Sequence, residues 1–107
     1  MKPGTFIIYA PPQGWREDRL EAVRRAVRRI AKTLGAGVRV IRTPAAHTIY
    51  VFYRNGRAED VPIYYDRDGR RGEEEVYRTA WSVVFALSFH PAYPALQRIQ
   101  EGLRWRS

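Results

Sequence analysis

The spacing of apolar residues changes several times along this chain, and each change marks an element. Thr5–Ala10 is a short apolar run that ends at Pro11-Pro12, which is typical of a buried strand. From about residue 16 to residue 34, apolar side chains recur at the spacing of a helix. These are Leu20, Val23, Val27, Ile30 and Leu34. The pattern therefore predicts a strand followed by a long amphipathic helix.

This first helix carries end signals on both sides. Asp18 and Glu21 have the spacing of a capping box, in which two side chains bind backbone N–H groups at a helix start. Gly35 and Gly37 follow the last periodic leucine, and glycine readily adopts the left-handed conformation that ends helices. We expect the helix to end there.

Three further strands are predicted in the middle of the chain. They are Val38–Thr43, His47–Tyr53 and a strand around Val61–Tyr65. Asn55-Gly56 lies between the last two, and this dipeptide favours a type I′ hairpin turn because both residues tolerate positive φ. Pro62 cannot donate a backbone hydrogen bond, so the last strand is expected at a sheet edge.

The hairpin also predicts which side chains face the core. We expect Arg54 to pair with Arg57 across the turn. This register gives the hairpin a core-facing side made of Tyr50, Phe52, Val61 and Ile63. Tyr53 and Tyr64 then point the other way, into solvent.

A second helix is predicted after three glutamates at residues 73–75, because acids are stabilised at the positive end of a helix dipole. It runs to about Phe89 and stops before Pro91. Phe85 and Phe89 project from its polar side, so this helix needs cover on more than one side. The segment 94–104 is expected to fold back over both rings as a short helix. Its helically spaced apolar residues are Leu96, Ile99 and Leu103.

Together these elements predict an α+β fold with the order β-α-β-β-β-α-α over residues 1–107, taken as a single domain. The β-α-β start favours a crossover that places the first strand parallel to a neighbour. The other strands then form an antiparallel meander. The result is a four-stranded mixed or mainly antiparallel sheet with helices packed mainly on one face.

Composition excludes several chemistries. The chain has no cysteine, which removes disulfides, thiol nucleophiles and iron–sulfur ligation. We find no nucleophile elbow, phosphate-binding glycine loop or dinucleotide fingerprint, so we expect no catalytic residue, cofactor or bound metal. The longest apolar run is too short to span a bilayer and the N-terminal run too brief for a signal peptide, so we expect a cytoplasmic protein. The strong preference for arginine over lysine favours a GC-rich, thermophilic source.

Charge is the main indication of a partner. The net charge is +8, and the excess lies in the first two thirds of the chain. The first helix carries a set of cations, mostly opposite its apolar stripe, which we name the basic ridge: Arg24, Arg25, Arg28, Arg29 and Lys32. Guanidinium groups in such a row bind phosphate oxygens without reading base sequence. The alternative is a solvated helix face that places cations towards the C-terminus, as the helix dipole prefers.

Turn arginines and two tyrosines extend this prediction. The turn arginines are Arg54, Arg57, Arg67, Arg70 and Arg71. Arginines at a hairpin tip can enter a nucleic-acid groove, or they can simply keep a sheet edge soluble. Five strand rings could stack on unpaired bases, with packing inside the protein as the alternative: Tyr50, Phe52, Tyr53, Tyr64 and Tyr65. Of these, Tyr53 and Tyr64 are expected on the exposed face.

These patterns lead to three hypotheses. The first is a non-catalytic domain that binds the phosphate backbone of DNA or RNA through the basic ridge and the arginine-bearing hairpin. The second is a protein-interaction module or self-assembling homodimer with Phe85 and Phe89 in its interface. The third is a small nuclease that holds Mg²⁺ on clustered acids. Those acids are Asp60, Asp66, Asp68, Glu73, Glu74 and Glu75, and turns and a helix start account for them equally well.

Overall fold

The first strand of the chain lies inside a four-stranded sheet. The computed structural model describes residues 4–56, 59–97 and 99–100. It contains strands β1 (Thr5–Ala10), β2 (Gly37–Arg42), β3 (Tyr50–Arg54) and β4 (Val61–Tyr65), helices α1 (Glu17–Leu34) and α2 (Glu73–Leu87), and a short 3₁₀ helix at Pro94–Gln97. The sheet order is β2-β1-β3-β4, and only the β1–β2 pair is parallel. The predicted α+β fold, its mixed sheet and the edge position of β4 are confirmed.

Both helices cover the same side of the sheet. Alternate strand residues and the inner stripes of the two helices meet there in one buried cluster. It includes Phe6, Ile8, Val51, Tyr53, Val27, Ile30, Val76 and Ala80. Burying a large apolar side chain contributes roughly 1.5–3 kcal/mol, so this layer supplies most of the stability. In the described ranges neither helix has both the length and the apolar character needed to cross a membrane.

The two ends of α1 agree differently with the predicted end signals. Gly35 has a left-handed φ of 69°, and its N–H donates to the Lys32 carbonyl at 3.3 Å, so the predicted stop is confirmed. The predicted capping box is wrong. Asp18 already lies in the first helical turn, and the Glu21 carboxylate binds two arginines of the basic ridge instead of the backbone.

The hairpin between β3 and β4 is longer than predicted. Gly56 has a φ of 84°, but Asn55 does not have the positive φ that a type I′ turn also requires at its first central residue, so Asn55-Gly56 is not a type I′ turn. Instead the Arg54 guanidinium binds the Asp60 carboxylate through two hydrogen bonds. The chain therefore re-enters the sheet only at Val61.

This longer connection reverses the two faces of β3. Val61 pairs with Tyr53, three residues away from the predicted partner Tyr50, and an odd shift turns every side chain over. An irregularity beside Ile63 lets both Ile63 and Tyr64 face the core. The prediction that Tyr50 faces the core, together with Phe52, is therefore wrong.

The segment after α2 agrees with the prediction in part. Leu96 and Ile99 are buried in the core, 0% and 3% exposed, as their spacing indicated. Phe85 packs partly against the core cluster, whereas Phe89 is 63% exposed and is not covered by the residues that the structure describes. Leu103 lies outside the described residues.

Candidate nucleic-acid interface

The sheet has a second face that neither helix covers, and we name it the open sheet face. It is formed by the strand residues that alternate with those of the core. They are Thr5, Ile7, Tyr9, Arg39, Ile41, Tyr50, Phe52, Arg54, Pro62 and Tyr65. No acidic residue occupies any of these positions. The face therefore presents rings and guanidinium groups on the same broad surface.

Three tyrosines on neighbouring strands form a row across this face. Tyr9 of β1 lies opposite Tyr50 of β3, which lies opposite Tyr65 of β4, and we name these three the tyrosine row. The Tyr50 and Tyr65 rings are stacked, with centroids 5.0 Å apart and planes at 12°. Tyr65 remains 46% exposed. Part of this stack is thus open to solvent.

Phe52 and His47 extend the aromatic surface beside the row. The Phe52 ring meets Tyr9 edge-on at 5.7 Å, and the exposed His47 ring meets Tyr50 in the same manner at 5.7 Å. Burial first, and then the neighbouring Tyr65, raises the pKa of Tyr50. This phenol therefore stays neutral at physiological pH and adds no negative charge to the face.

Arg39 supplies the open sheet face with a cation that no acid of the described residues neutralises. It is exposed, lies opposite Ile7, and has no carboxylate of the described residues within ion-pair distance. Arg67, two residues after Tyr65, is exposed and equally unpaired within the described part of the chain. Both side chains are therefore available to an anionic ligand.

Arg54 differs from these two because it has an acidic partner. Its Nε lies 2.9 Å from Oδ1 of Asp60 and its Nη2 lies 2.8 Å from Oδ2. The hydrogen bond with Arg54 lowers the pKa of Asp60, so the pair stays ionised. The side chains are 46% and 29% exposed, respectively, so this ion pair is open to solvent.

On the helix side, three of the five cations of the basic ridge have acidic partners among the described residues, and two of them share one carboxylate. Arg24 and Arg25 bind the Glu21 carboxylate at 2.6 and 3.2 Å. Arg29 reaches across to α2, where it binds Glu73 and Glu74 at 3.2 and 2.7 Å. It also lies 4.0 Å from the centre of the Tyr77 ring. These arginines hold the helix layer together as well as facing solvent.

Arg28 and Lys32 complete the basic ridge. Both are exposed, and no carboxylate in the described ranges lies within ion-pair distance of either. The inner stripe of α1 faces the sheet, so these two cations point away from it. The structure therefore places the basic ridge and the open sheet face on opposite sides of the molecule.

Tyr53 and Tyr64 are not on the surface, so the prediction that their rings are exposed for base stacking is wrong. They are 0% and 6% exposed, and burial raises the pKa of both phenols. Tyr53 packs against Phe6 with ring centroids 5.1 Å apart. The Tyr64 hydroxyl donates to Asp66 at 2.7 Å. Both side chains belong to the core because of the shifted hairpin register.

Asp66 is the centre of a buried polar cluster. Its Oδ1 lies 2.7 Å from Nη2 of Arg19, in an ion pair whose side chains are 7% and 1% exposed for Arg19 and Asp66. The Thr48 hydroxyl donates to the backbone carbonyl of Asp66 at 2.8 Å. Burial opposes the charge of Arg19, but its bond to Asp66 raises the pKa of the guanidinium overall. This cluster ties α1 to the end of β4.

The acids between residues 60 and 75 are not brought together. Asp60 binds Arg54, Asp66 binds Arg19, and the glutamates at the start of α2 bind Arg29. Within the described ranges no three histidine, aspartate or glutamate side chains form a group that could hold a metal ion. The structure thus offers no centre for the nuclease hypothesis in that part of the chain.

The remaining turn arginines are dispersed. Arg70 is exposed, and the backbone carbonyl of the half-buried Arg71 accepts a hydrogen bond from Arg19. Arg57 lies outside the described residues. The sequence analysis missed Arg39 and the tyrosine row. The alternation of side chains along β1 puts Tyr9 and Phe6 on different faces of the sheet. The faces of Tyr50 and Tyr65 could be assigned only with the correct register of the hairpin.

Similarity to other proteins does not indicate a role for the open sheet face. Comparisons of the chain with protein-family models, with curated proteins and with solved structures found no match.

Proposed function

We propose that this chain is a non-catalytic nucleic-acid-binding domain whose contact surface is the open sheet face. One observation carries the proposal: a sheet face left uncovered by both helices presents aromatic rings and arginines and no acid. The chain as a whole has a net charge of +8, which attracts phosphate polymers over distances of about a Debye length.

Arg39 and Arg67 are the side chains best suited to contact phosphate. Each guanidinium is exposed and lacks a carboxylate partner in the described part of the chain, so binding a phosphate breaks no ion pair. Arg25 and Arg29 on the basic ridge would have to exchange glutamate partners for phosphate. Arg28 and Lys32 of the ridge are as exposed and as unpaired among the described residues as Arg39, so the aromatic rings beside Arg39 are what favour the sheet face over the ridge.

Two matched double variants test the position of the surface. Arg39→Gln with Arg67→Gln removes two unpaired cations from the sheet side, and Arg28→Gln with Lys32→Gln removes two from the ridge. The net charge changes equally in both. Binding to labelled oligonucleotides is measured against salt concentration by fluorescence anisotropy. We expect the sheet-side variant to flatten the slope of log affinity against log salt by about 1.4 on single strands, and the ridge variant to change it less.

The possible outcomes distinguish nucleic-acid binding itself from the position of the binding surface. A protein that binds no oligonucleotide at low salt contradicts nucleic-acid binding itself. A slope that flattens only in the ridge variant moves the contact surface to α1 and contradicts the sheet face.

The exposed ring of Phe89 supports a second candidate, a homodimer formed at the end of α2. Phe89 is 63% exposed and meets Phe85 edge-on at 5.2 Å, which is an aromatic surface suited to a second copy of the chain. Light scattering of the same protein tests this. A dimer that dissociates on Phe89→Ser supports it, and a monomer at micromolar concentration rules it out.

A further inference from the structure

We infer that the ligand of the open sheet face is a single-stranded nucleic acid whose unpaired bases stack on the tyrosine row. This inference rests on the proposed function and adds the class of ligand. It concerns Tyr9, Tyr50 and Tyr65, which the structure brings together on three neighbouring strands.

The first step is the geometry of the rings. Adjacent strands are about 4.8 Å apart, so a ligand that crosses the sheet meets one tyrosine per strand over three strands. Tyr50 and Tyr65 already form a parallel stack at 5.0 Å, and Tyr65 keeps 46% of its surface exposed. A planar base can extend this stack on its solvent side. Every base has such a face, so the surface is tolerant of sequence.

The second step concerns the charge that is available. Of the two arginines on the open sheet face, Arg54 is engaged by Asp60 and Arg39 is not. Arg67, two residues after Tyr65 in the chain, adds one further exposed cation. Two phosphate contacts give only weak binding at physiological salt. Tight binding to this face therefore requires contacts with bases as well as with phosphates.

The third step excludes a duplex. In a double helix the faces of the bases are stacked on one another and are inaccessible to the protein's rings. A duplex is read through its grooves by an inserted helix or two-stranded ribbon. The tyrosine row lies across β1, β3 and the edge strand β4, on the broad face of the sheet, which cannot enter a groove as an inserted helix or ribbon does. Only unpaired bases can reach these rings.

The exposed chemistry also favours a nucleic acid over an apolar protein surface. Ile7 lies in the centre of the open sheet face but is only 1% exposed, so its aliphatic side chain is hidden. Tyr65 and Arg39 are exposed there, and the aliphatic surface that reaches solvent comes from the exposed Pro62 and the half-buried Ile41. Rings beside unpaired cations match the alternation of bases and phosphates along a single strand.

The test uses four probes of about ten nucleotides, a length within the range of known single-strand sites. They are single-stranded DNA, single-stranded RNA, the DNA duplex, and an abasic strand that keeps the phosphates and lacks the bases. We expect at least one single strand to bind about tenfold or more tightly than the duplex and the abasic strand. A difference between the DNA and RNA probes identifies which of the two is preferred.

Substitutions of single tyrosines test whether the rings are responsible for this difference in affinity. Tyr65→Ala should weaken single-strand binding about tenfold, and Tyr65→Phe should restore it because the ring remains. Tyr77→Ala is the matched control: it removes a tyrosine ring from the helix layer, where Tyr77 stacks on Trp81, and should leave affinity unchanged. Circular dichroism melts confirm that each variant is folded at the temperature of the assay.

Each of the other outcomes contradicts one part of the inference. If the abasic strand or the duplex binds as tightly as both single strands, stacking is wrong and nucleic-acid binding stands. If Tyr65→Ala binds like the parent chain, the tyrosine row is not the contact. If no probe binds and the protein is a dimer that Tyr65→Ala dissociates, the face is a protein interface, and both the inference and the proposed function fail.

Discussion

The two faces of β3 show how one strand serves two purposes. Val51 and Tyr53 point to the helices and are fully buried, whereas Tyr50 and Phe52, next to them in the chain, lie on the uncovered side and are partly exposed. The buried pair contributes to the free energy of folding. The partly exposed pair contributes less to folding and remains available to a ligand.

The two sides of the sheet can also be compared by which of their arginines have acidic partners. On the helix side, Arg29 and Arg24 have glutamate partners, and Arg19 is sealed in the core with Asp66. On the open side, Arg39 has no acid among the described residues. A count of arginines therefore overstates the number of available cations on either side. On the open side Arg54 is bound by Asp60, and on the ridge only Arg28 and Lys32 have no acidic partner among the described residues. The following changes test this contrast, starting with the largest expected effect.

Asp66→Ala should be severely destabilising, because it leaves Arg19 buried without its carboxylate and removes the acceptor of the Tyr64 hydroxyl. Breaking a buried ion pair from one side costs about 3–5 kcal/mol in the free energy of unfolding. Urea unfolding measures this. Asp68→Ala, an exposed aspartate in the same loop, is the control and should change stability by less than about 0.5 kcal/mol. Equal effects of the two variants would show that the cluster is not a stabilising unit.

Alkaline pH should destabilise the fold through the buried tyrosines. Burial raises the pKa of Tyr53 and of Tyr64 above the ordinary 10.0, so both phenols ionise more readily in the unfolded chain. The stability they contribute is therefore complete below pH 10 and is lost as pH rises above it. The slope reaches about 1.4 kcal/mol per pH unit for each such group.

Melting temperatures measured in steps through this alkaline range test the prediction. Tyr53→Phe has no phenol to ionise at that position, so its melting temperature should fall less steeply than that of the parent chain. A parallel decline in both proteins would contradict the assignment.

Asp60→Asn should have a small effect on stability and a positive effect on binding. The Arg54–Asp60 pair is solvent-exposed, so its loss costs less than about 1 kcal/mol. Without the carboxylate, Arg54 is free to bind a phosphate, and the salt slope on single strands should steepen by about 0.7. Anisotropy titrations measure the slope.

Glu21→Gln is the control for that change, because it releases Arg24 and Arg25 on the ridge side. It should strengthen binding less than Asp60→Asn does. If Glu21→Gln has the larger effect, the contrast between the two sides is wrong.

Local patterns predicted the elements of this fold well, and long-range contacts explain where prediction failed. Helical periodicity and Gly35 placed α1 within one residue at each end, because both signals act over a single turn of chain. The register of β4 follows from a connection longer than a two-residue turn and from an irregularity beside Ile63, neither of which the alternation of apolar residues encodes. The core positions of β3 were therefore assigned to the wrong face.

The candidate site was harder to predict than the fold for the same reason. Whether an arginine is neutralised depends on acids that are distant in sequence, as Arg29 shows by binding Glu73, 44 residues away. The exposure of Tyr50 and Tyr65 depends on the face to which the register turns them. Net charge indicated an anionic partner, but only the three-dimensional pairing of acids and bases shows which cations are available to it.

The inner position of β1 also affects how the chain folds during synthesis. β1 pairs with β2 on one side and with β3 on the other, and both partners leave the ribosome after it. Until Arg54 has emerged, the apolar side chains around Phe6 have an incomplete sheet beside them. The amphipathic helix α1 is made in the interval, and its inner stripe can cover β1 while the second partner strand is still missing. In the order of synthesis, the long helix thus supplies the first apolar surface against which β1 can pack.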